Sequence, residues 1–103
     1  MNFHHFHPGY ICITAAVNDL LEKSHEFRLG MFKRLSEHAN GQWSELCDED
    51  KQVNIEALKT GARIFSAWTI AGHKIYIITD GREQDRLVAT ECTVTTILTP
   101  SEY

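Results

Sequence analysis

This chain predicts an α+β domain: an antiparallel sheet of three to four strands, the C-terminal ones a meander, with two to three helices packed on one face. Three observations lead there. Between Gly61 and Asp80, GARIFSAWTIAGHKIYIITD, residues Ile64, Ser66, Trp68 and Ile70 alternate with Phe65, Ala67 and Thr69, and Ile75 and Ile77 alternate with Tyr76 and Ile78. That two-residue period about Ala71-Gly72 is a β-hairpin, because glycine accepts the positive φ of a tight turn and β-branched and aromatic residues suit a half-buried pleat. Ahead of it, apolar residues recur at helical spacing. Finally, a length of 103 residues, 43% of them hydrophobic and 23% charged, suits a single core in one domain spanning 1–103 and argues against disorder.

The elements follow in order. Residues 1–8 form an N-terminal segment able to move apart from the domain. In an extended segment His5 and His7 project to one face, with His4 beside them, but no Cys, Asp or Glu partner lies at short spacing. They are read as side chains at a sheet edge or chain end, and no metal or cofactor is assigned. GYICIT, Gly9 to Thr14, is a short strand, with Pro8 acceptable at its start. Thr14 can cap the helix AAVNDLLEK, where Val17, Leu20 and Leu21 share a face. Ser24 or His25 interrupts, and EFRLGMFKRLSEHA continues as a second helix with a core stripe of Phe27, Met31 and Leu35, Phe32 beside them; Asn40-Gly41 ends it. Trp43 and Leu46 in the connector are expected to plug the core. Asp48 or Ser44 caps EDKQVNIEALKT, whose buried stripe is Val53, Ala57 and Leu58, and Gly61 terminates it. After Asp80-Gly81 a polar turn leads to RLVATEC, either a short strand or a loop insertion. TVTTILT is the last strand, with Val94, Thr96 and Leu98 on one face and Thr95 and Ile97 on the other, and Pro100 stops it.

Charge and cysteine usage exclude some functions. With 14 acidic against 10 basic side chains the net charge is −4, which disfavours long-range attraction to nucleic acid. Three scattered cysteines, Cys12, Cys47 and Cys92, give neither a zinc spacing nor a disulfide framework and suit a reducing cytoplasm. Cys12 and Cys92 stand in apolar strand-like settings where burial keeps a thiol inert. No run approaches the roughly 20 apolar residues of a membrane span, so no membrane association is expected.

Several blocks of the chain resemble a family of small bacterial proteins labelled plasmid-related and of unknown function. Gly41, Trp43 and Leu46 match G-x-W-x-x-L; Glu49 to Lys51, Asn54, Ala57-Leu58, Gly61, Arg63 and Ser66 follow in order. KIYIITD from Lys74 to Asp80, Asp85-Arg86, and TTILTPSEY from Thr95 to Tyr103 are similar to that family's lysine, W-I-I-T-E, D-R-S and T-T-x-L-L-P-E-E-Y blocks. The segment from Asp80 to Thr93 is longer than the family's turn. The resemblance implies a gene of plasmids or other mobile elements and no established activity.

A catalytic role would draw on a sheet face bearing Arg63, Ser66, Lys74, Thr79, Asp80, Arg86, Thr95 and His38, since ribonuclease chemistry needs a base and cations around a phosphate. No pair of bases is marked by spacing, and structural roles suffice: Arg63 and Lys74 can pair with carboxylates across the hairpin, Ser66 and the threonines suit a strand surface, and His38 sits at a helix C-terminus where a cation is favoured. The expectation is therefore a non-enzymatic cytoplasmic binding protein of a mobile element, acting on a host protein or complex and possible as a homodimer. In its concrete form it inhibits a host defence, of restriction or CRISPR type, by presenting acidic side chains to a basic groove. Its candidate binding residues are Trp43, Glu45, Asp48, Glu49, Asp50, Arg63, Lys74 and Arg86. The alternatives are a ribonuclease-like enzyme using His38 and Arg63, and a homodimeric plasmid-maintenance factor pairing through the hairpin edge or the Trp43 loop.

Overall fold

The computed structural model describes residues 6–43, 45–82 and 92–103. Its order is β1 (Tyr10–Ile13), α1 (Ala15–Lys23), α2 (His25–Ala39), α3 (Asp48–Thr60), β2 (Ile64–Ile70), β3 (His73–Asp80), β4 (Val94–Leu98) and a closing 3₁₀ turn (Pro100–Glu102). The strands lie in the order β1-β4-β3-β2. The β2–β3 hairpin and the β3–β4 pair are antiparallel, as the meander requires, with Ser66 opposite Ile77 and Thr79 opposite Thr95.

The sheet is nevertheless mixed, a correction to the antiparallel expectation, because β1 runs parallel to β4 with Ile11 opposite Thr95 and Ile13 opposite Ile97. Alternation in GYICIT marks a strand without fixing its direction. A parallel neighbour needs a long crossover, and here three helices and a hairpin intervene.

Alternation then sorts the faces. On one side Val17 of α1 and Phe27 and Met31 of α2 pack on Trp68, Ile70, Ile75, Ile77 and Ile97, all but fully buried. Removing a side chain of this kind, as in Phe27→Ala, costs about 3–5 kcal/mol. Gly30 lets α2 come down onto β2: a Cβ there would stand 2.7 Å from Cγ2 of Ile70. That contact offsets the roughly 1 kcal/mol by which glycine disfavours a helix interior.

A second cluster joins Phe6, Trp43, Leu46, Ala57, Leu58 and Ile64, with Phe65 and Ala67 packed against it from the other side of the sheet. Trp43 and Leu46 do plug the core, and α3 wraps the β2 edge. The rest of that opposite face carries a row of edge-to-face rings, Phe65 on Tyr76 at 4.9 Å and Tyr76 on Tyr103 at 5.9 Å.

Some surface assignments change. Phe32 is 58% exposed, because its place beside the Phe27–Met31 stripe falls on the outer side of α2. Cys12 and Cys92 are exposed rather than buried, Cys12 because β1 is an edge strand. Thr14 stands at the N-cap of α1, its carbonyl accepting from the Asn18 amide but its side chain leaving the helix uncapped. Its hydroxyl donates to Glu102, whose other oxygen accepts from the Ala16 amide, so the last turn of the chain closes the first turn of α1. Cys47, not Asp48, is the N-cap of α3, and Ser44 lies outside the described residues. The question of RLVATEC lies largely outside them too, as do His4 and His5. Among the described residues, no helix is long and apolar enough to cross a membrane.

The hairpin turn holds both central residues at positive φ, Ala71 at 50° and Gly72 at 83°. This is the geometry of a primed two-residue turn, and alanine pays a steric penalty there that glycine or asparagine does not. Ala71→Gly or Ala71→Asn is expected to raise stability by about 0.5–1 kcal/mol, read from urea midpoints at unchanged m-value.

Candidate functional site

The inner face carries three buried polar residues in line with its apolar ones: Ser66 between Ile64 and Trp68, Thr79 after Ile77, and Thr95 before Ile97. His38, three residues beyond Leu35 on the buried stripe of α2, comes down onto them. Its Nδ1 lies 2.6 Å from Ser66 Oγ and its Nε2 lies 2.9 Å from Thr79 Oγ1. Thr79 Oγ1 is 2.7 Å from Thr95 Oγ1, which in turn donates to the Pro8 carbonyl at 2.7 Å. At the other end the Trp68 indole donates to Ser66 Oγ at 2.7 Å.

Counting donors fixes every proton in this chain. The Pro8 carbonyl can only accept, so Thr95 spends its hydroxyl proton there and must accept from Thr79. Thr79 then accepts from His38, which places a proton on Nε2. The indole can only donate, so Ser66 receives it and gives its own proton to a bare Nδ1. His38 is thus a neutral imidazole with a defined tautomer, fully buried and placed edge-to-face with Phe6 at 5.4 Å.

Burial lowers its pKa from 6.5 to about 3. A proton on Nδ1 would also leave the Ser66 hydroxyl without an acceptor in the chain. These properties do not suit a general base, which needs a proton acceptor within reach of substrate. Arg63 stands apart: it is about half exposed and bonded to Asp80 at 2.9 Å and to the Tyr103 hydroxyl at 3.3 Å. The ribonuclease-like grouping of His38 with Arg63 therefore does not form. The cause is that His38 closes the core and Arg63 lies at the surface just before β2.

Exposed chemistry gathers instead on α3. Asn54 reaches across to the open edge of β2, donating to the Phe65 carbonyl at 2.7 Å and accepting from the Phe65 amide at 3.1 Å. One side-chain amide here reproduces a strand pairing, and it requires Asn54 to face the sheet. Its neighbour Val53, about 100° further round the helix, then faces outward. Val53 is accordingly 63% exposed, a correction to its assigned place in the buried stripe, which Asn54 takes.

Around Val53 runs an open groove of about 480 Å³ lined by Glu49, Gln52, Glu56, Ala57, Thr60, Ala62 and Arg63. Glu49, Val53, Glu56 and Thr60 follow the i, i+4, i+7, i+11 spacing of one helix face, so carboxylates flank the apolar floor. Asp48 and Asp50 extend the negative charge at the helix N-terminus, where acidic groups also favour the helix dipole. A second depression of about 330 Å³, on the open face of the sheet, has its charges occupied internally. There Arg63 pairs with Asp80, and Glu102 is taken by Thr14, Thr99 and Ala16.

Of the residues expected to bind, Glu49 and Arg63 meet in this groove, with Asp48 and Asp50 exposed beside Glu49. Trp43 does not take part: it is 3% exposed and donates to the His38 carbonyl at 3.0 Å. Glu45 is used internally, accepting from the Thr69 amide of β2 at 3.1 Å and lying 4.0 Å from Arg34. Lys74 is exposed on the open face beside Thr69, and Arg86 lies outside the described residues. Sequence reasoning missed Glu56 and Val53 as surface and Ser66, Thr79 and Thr95 as interior. The signal for the latter was available, since all three share parity with buried isoleucines. Among the described residues no group of three His, Cys, Asp or Glu side chains converges as for a metal ion. Comparison with protein families, curated proteins and solved structures finds no match to this chain.

The pH response follows from His38. Between pH 6.5 and 3 the unfolded chain binds a proton that the native state refuses, so stability is full above about 6.5 and falls with acid by up to ~1.4 kcal/mol per pH unit. Glu102, whose pKa the Thr14 hydroxyl and the Thr99 amide lower to about 2, adds its loss only below its ordinary value of 4.5. Urea midpoints are expected to decline already from pH 6.5 to 5. His38→Gln, which keeps an acceptor and a donor without a titrating proton, should flatten that limb while lowering stability at pH 7. Separately, Ser66→Ala orphans the indole N–H and Nδ1 and should cost about 2–4 kcal/mol at pH 7, measured by the same denaturation.

Proposed function

We propose that this protein is a non-enzymatic binding module whose α3 groove receives a basic segment of a partner protein carrying an apolar side chain. The observation that carries this reading is Val53, an apolar side chain left 63% exposed on the floor of a groove flanked by Glu49 and Glu56. Its exposure has a structural cause, the Asn54 bond to β2, so the groove is part of the fold. The surrounding carboxylates complement a cationic partner and disfavour an acidic one.

The resemblance of its sequence blocks to plasmid-related proteins supplies the setting: a product of a mobile element acting on a host protein or complex in the cytoplasm. The concrete form is an inhibitor of a host defence whose nucleic-acid groove is basic, of restriction or CRISPR type. The buried, neutral state of His38 weighs against the ribonuclease-like alternative.

Transfer of a plasmid expressing the protein into otherwise matched hosts, with and without each defence system, tests the setting. Transfer is expected to rise in one defended host only, and to return to baseline with Val53→Asp and with the pair Glu49→Lys and Glu56→Lys. Against the purified defence complex these variants should weaken binding by roughly tenfold or more, as for central interface residues. Equal transfer into every host rejects the host-defence form, and binding unmoved by both variants rejects the groove.

A further inference from the structure

The two edges of the sheet are finished differently. On β2 side chains occupy much of the outward-facing backbone, Asn54 at the Phe65 amide and carbonyl and Glu45 at the Thr69 amide. Strand β1 forms the other edge and has no such protection among the described residues: all four of its own residues are exposed, Tyr10 by 70%, Ile11 by 41% and Ile13 by 40%. Of the usual means by which an edge strand is kept from pairing, it contains no charge and no proline, and among the described residues no element covers it.

We propose that β1 pairs antiparallel with β1 of a second copy of this chain, about a twofold axis at Cys12. The amides of Tyr10 and Thr14 donate to Thr93 and Ile97 carbonyls at 3.0 and 3.2 Å. By the alternation of the ladder, Tyr10, Cys12 and Thr14 face β4, while Ile11 and Ile13 direct N–H and C=O away from the sheet. Among the described residues nothing bonds those groups.

A second copy of this strand can meet those groups in one register. An antiparallel pair exchanges hydrogen bonds only between residues that both face across, so Ile11 and Ile13 must meet Ile11 or Ile13 of the second copy. Placing Ile11 opposite Ile11 would require Gly9, at φ 70°, to pair with Ile13. Placing Ile13 opposite Ile13 would require Ala15, already in α1, to pair with Ile11. Opposing Ile11 with Ile13 uses extended residues only and satisfies every outward group on both strands.

That register is symmetric, as a twofold contact demands, and the uncharged strand sets no like charges against each other. It also brings Cys12 of each copy together on the open face at a non-hydrogen-bonded site, where Cα atoms stand about 4.5 Å apart. The two sheets become one, with the α3 grooves left free, so the pairing is independent of the proposed partner binding.

The test uses the full chain with Cys47→Ser and Cys92→Ser, leaving Cys12 as the single thiol. Sedimentation over a concentration series is expected to show a monomer passing to a dimer, and a short bis-maleimide should join Cys12 to Cys12 in the dimer. Adding Ile11→Lys with Ile13→Lys, which spares the bonds to β4, should abolish the dimer and slow the cross-link at least tenfold. Hydrogen exchange of the unsubstituted strand gives a second readout should the lysine variant fail to fold. The Ile11 and Ile13 amides should be protected in concentrated solution and exchange freely when dilute. A monomer at every concentration overturns the proposal. So does a dimer in which Cys12 does not cross-link, or in which those amides show no dependence on concentration.

Discussion

A single neutral imidazole ties the layers of this protein together. His38 accepts a hydrogen bond from Ser66 on β2 and donates one to Thr79 on β3, and through Thr79 it reaches Thr95 on β4 and the carbonyl of Pro8 ahead of β1. Apolar packing brings α2 onto the sheet but is tolerant of sliding, whereas these bonds are directional and, apart from the part-buried one to Pro8, buried. An unmade one costs about 1–3 kcal/mol, a large part of the 5–15 kcal/mol by which domains of this size are stable. The arrangement therefore selects one seating of α2 over its neighbours.

The same logic of side chains standing in for backbone partners governs the surface. Asn54 fixes the rotation of α3 by completing β2 at Phe65, and from that rotation come both the burial of Ala57 and Leu58 and the exposure of Val53. Arg82 then finishes the helix, donating to the Ala57 and Leu58 carbonyls at 3.0 and 3.3 Å while its guanidinium lies over Phe6. The helix that carries the groove is thus held along one side by a sheet edge and near its end by a buried cation. Such a frame holds its shape before a partner arrives, which lowers the ordering cost of association.

Much of the fold was legible in the chain. The hairpin about Ala71-Gly72, the stripe of Phe27 and Met31, the Trp43 plug and the helix end at Gly61 all follow from local period and turn chemistry. The direction of β1 was not legible, because pairing between Ile11 and Thr95 is decided by contacts across the whole chain. Nor was the rotation of α3, since hydropathy favours Val53 over Asn54 for burial and only the unpaired edge of β2 reverses that order. The polar interior was misread as strand surface because serine and threonine serve both places equally well. Of the candidate site, the acidic turn from Asp48 to Asp50 was visible, whereas Glu45 looks like surface in sequence and is engaged within the fold, and the burial that makes Trp43 a plug removes it from any binding surface.

The one-way run of protons through Trp68, Ser66, His38, Thr79 and Thr95 has an evolutionary consequence. Each hydroxyl in the run hands on what it receives, so no position can drift to an apolar residue alone without stranding the next. Replacement by a purely hydrocarbon interior would demand several simultaneous exchanges, with every partial intermediate less fit than either end. Lineages descending from such a sequence should keep these positions as a block or lose them as one, and their correlated history would trace the path of the buried relay.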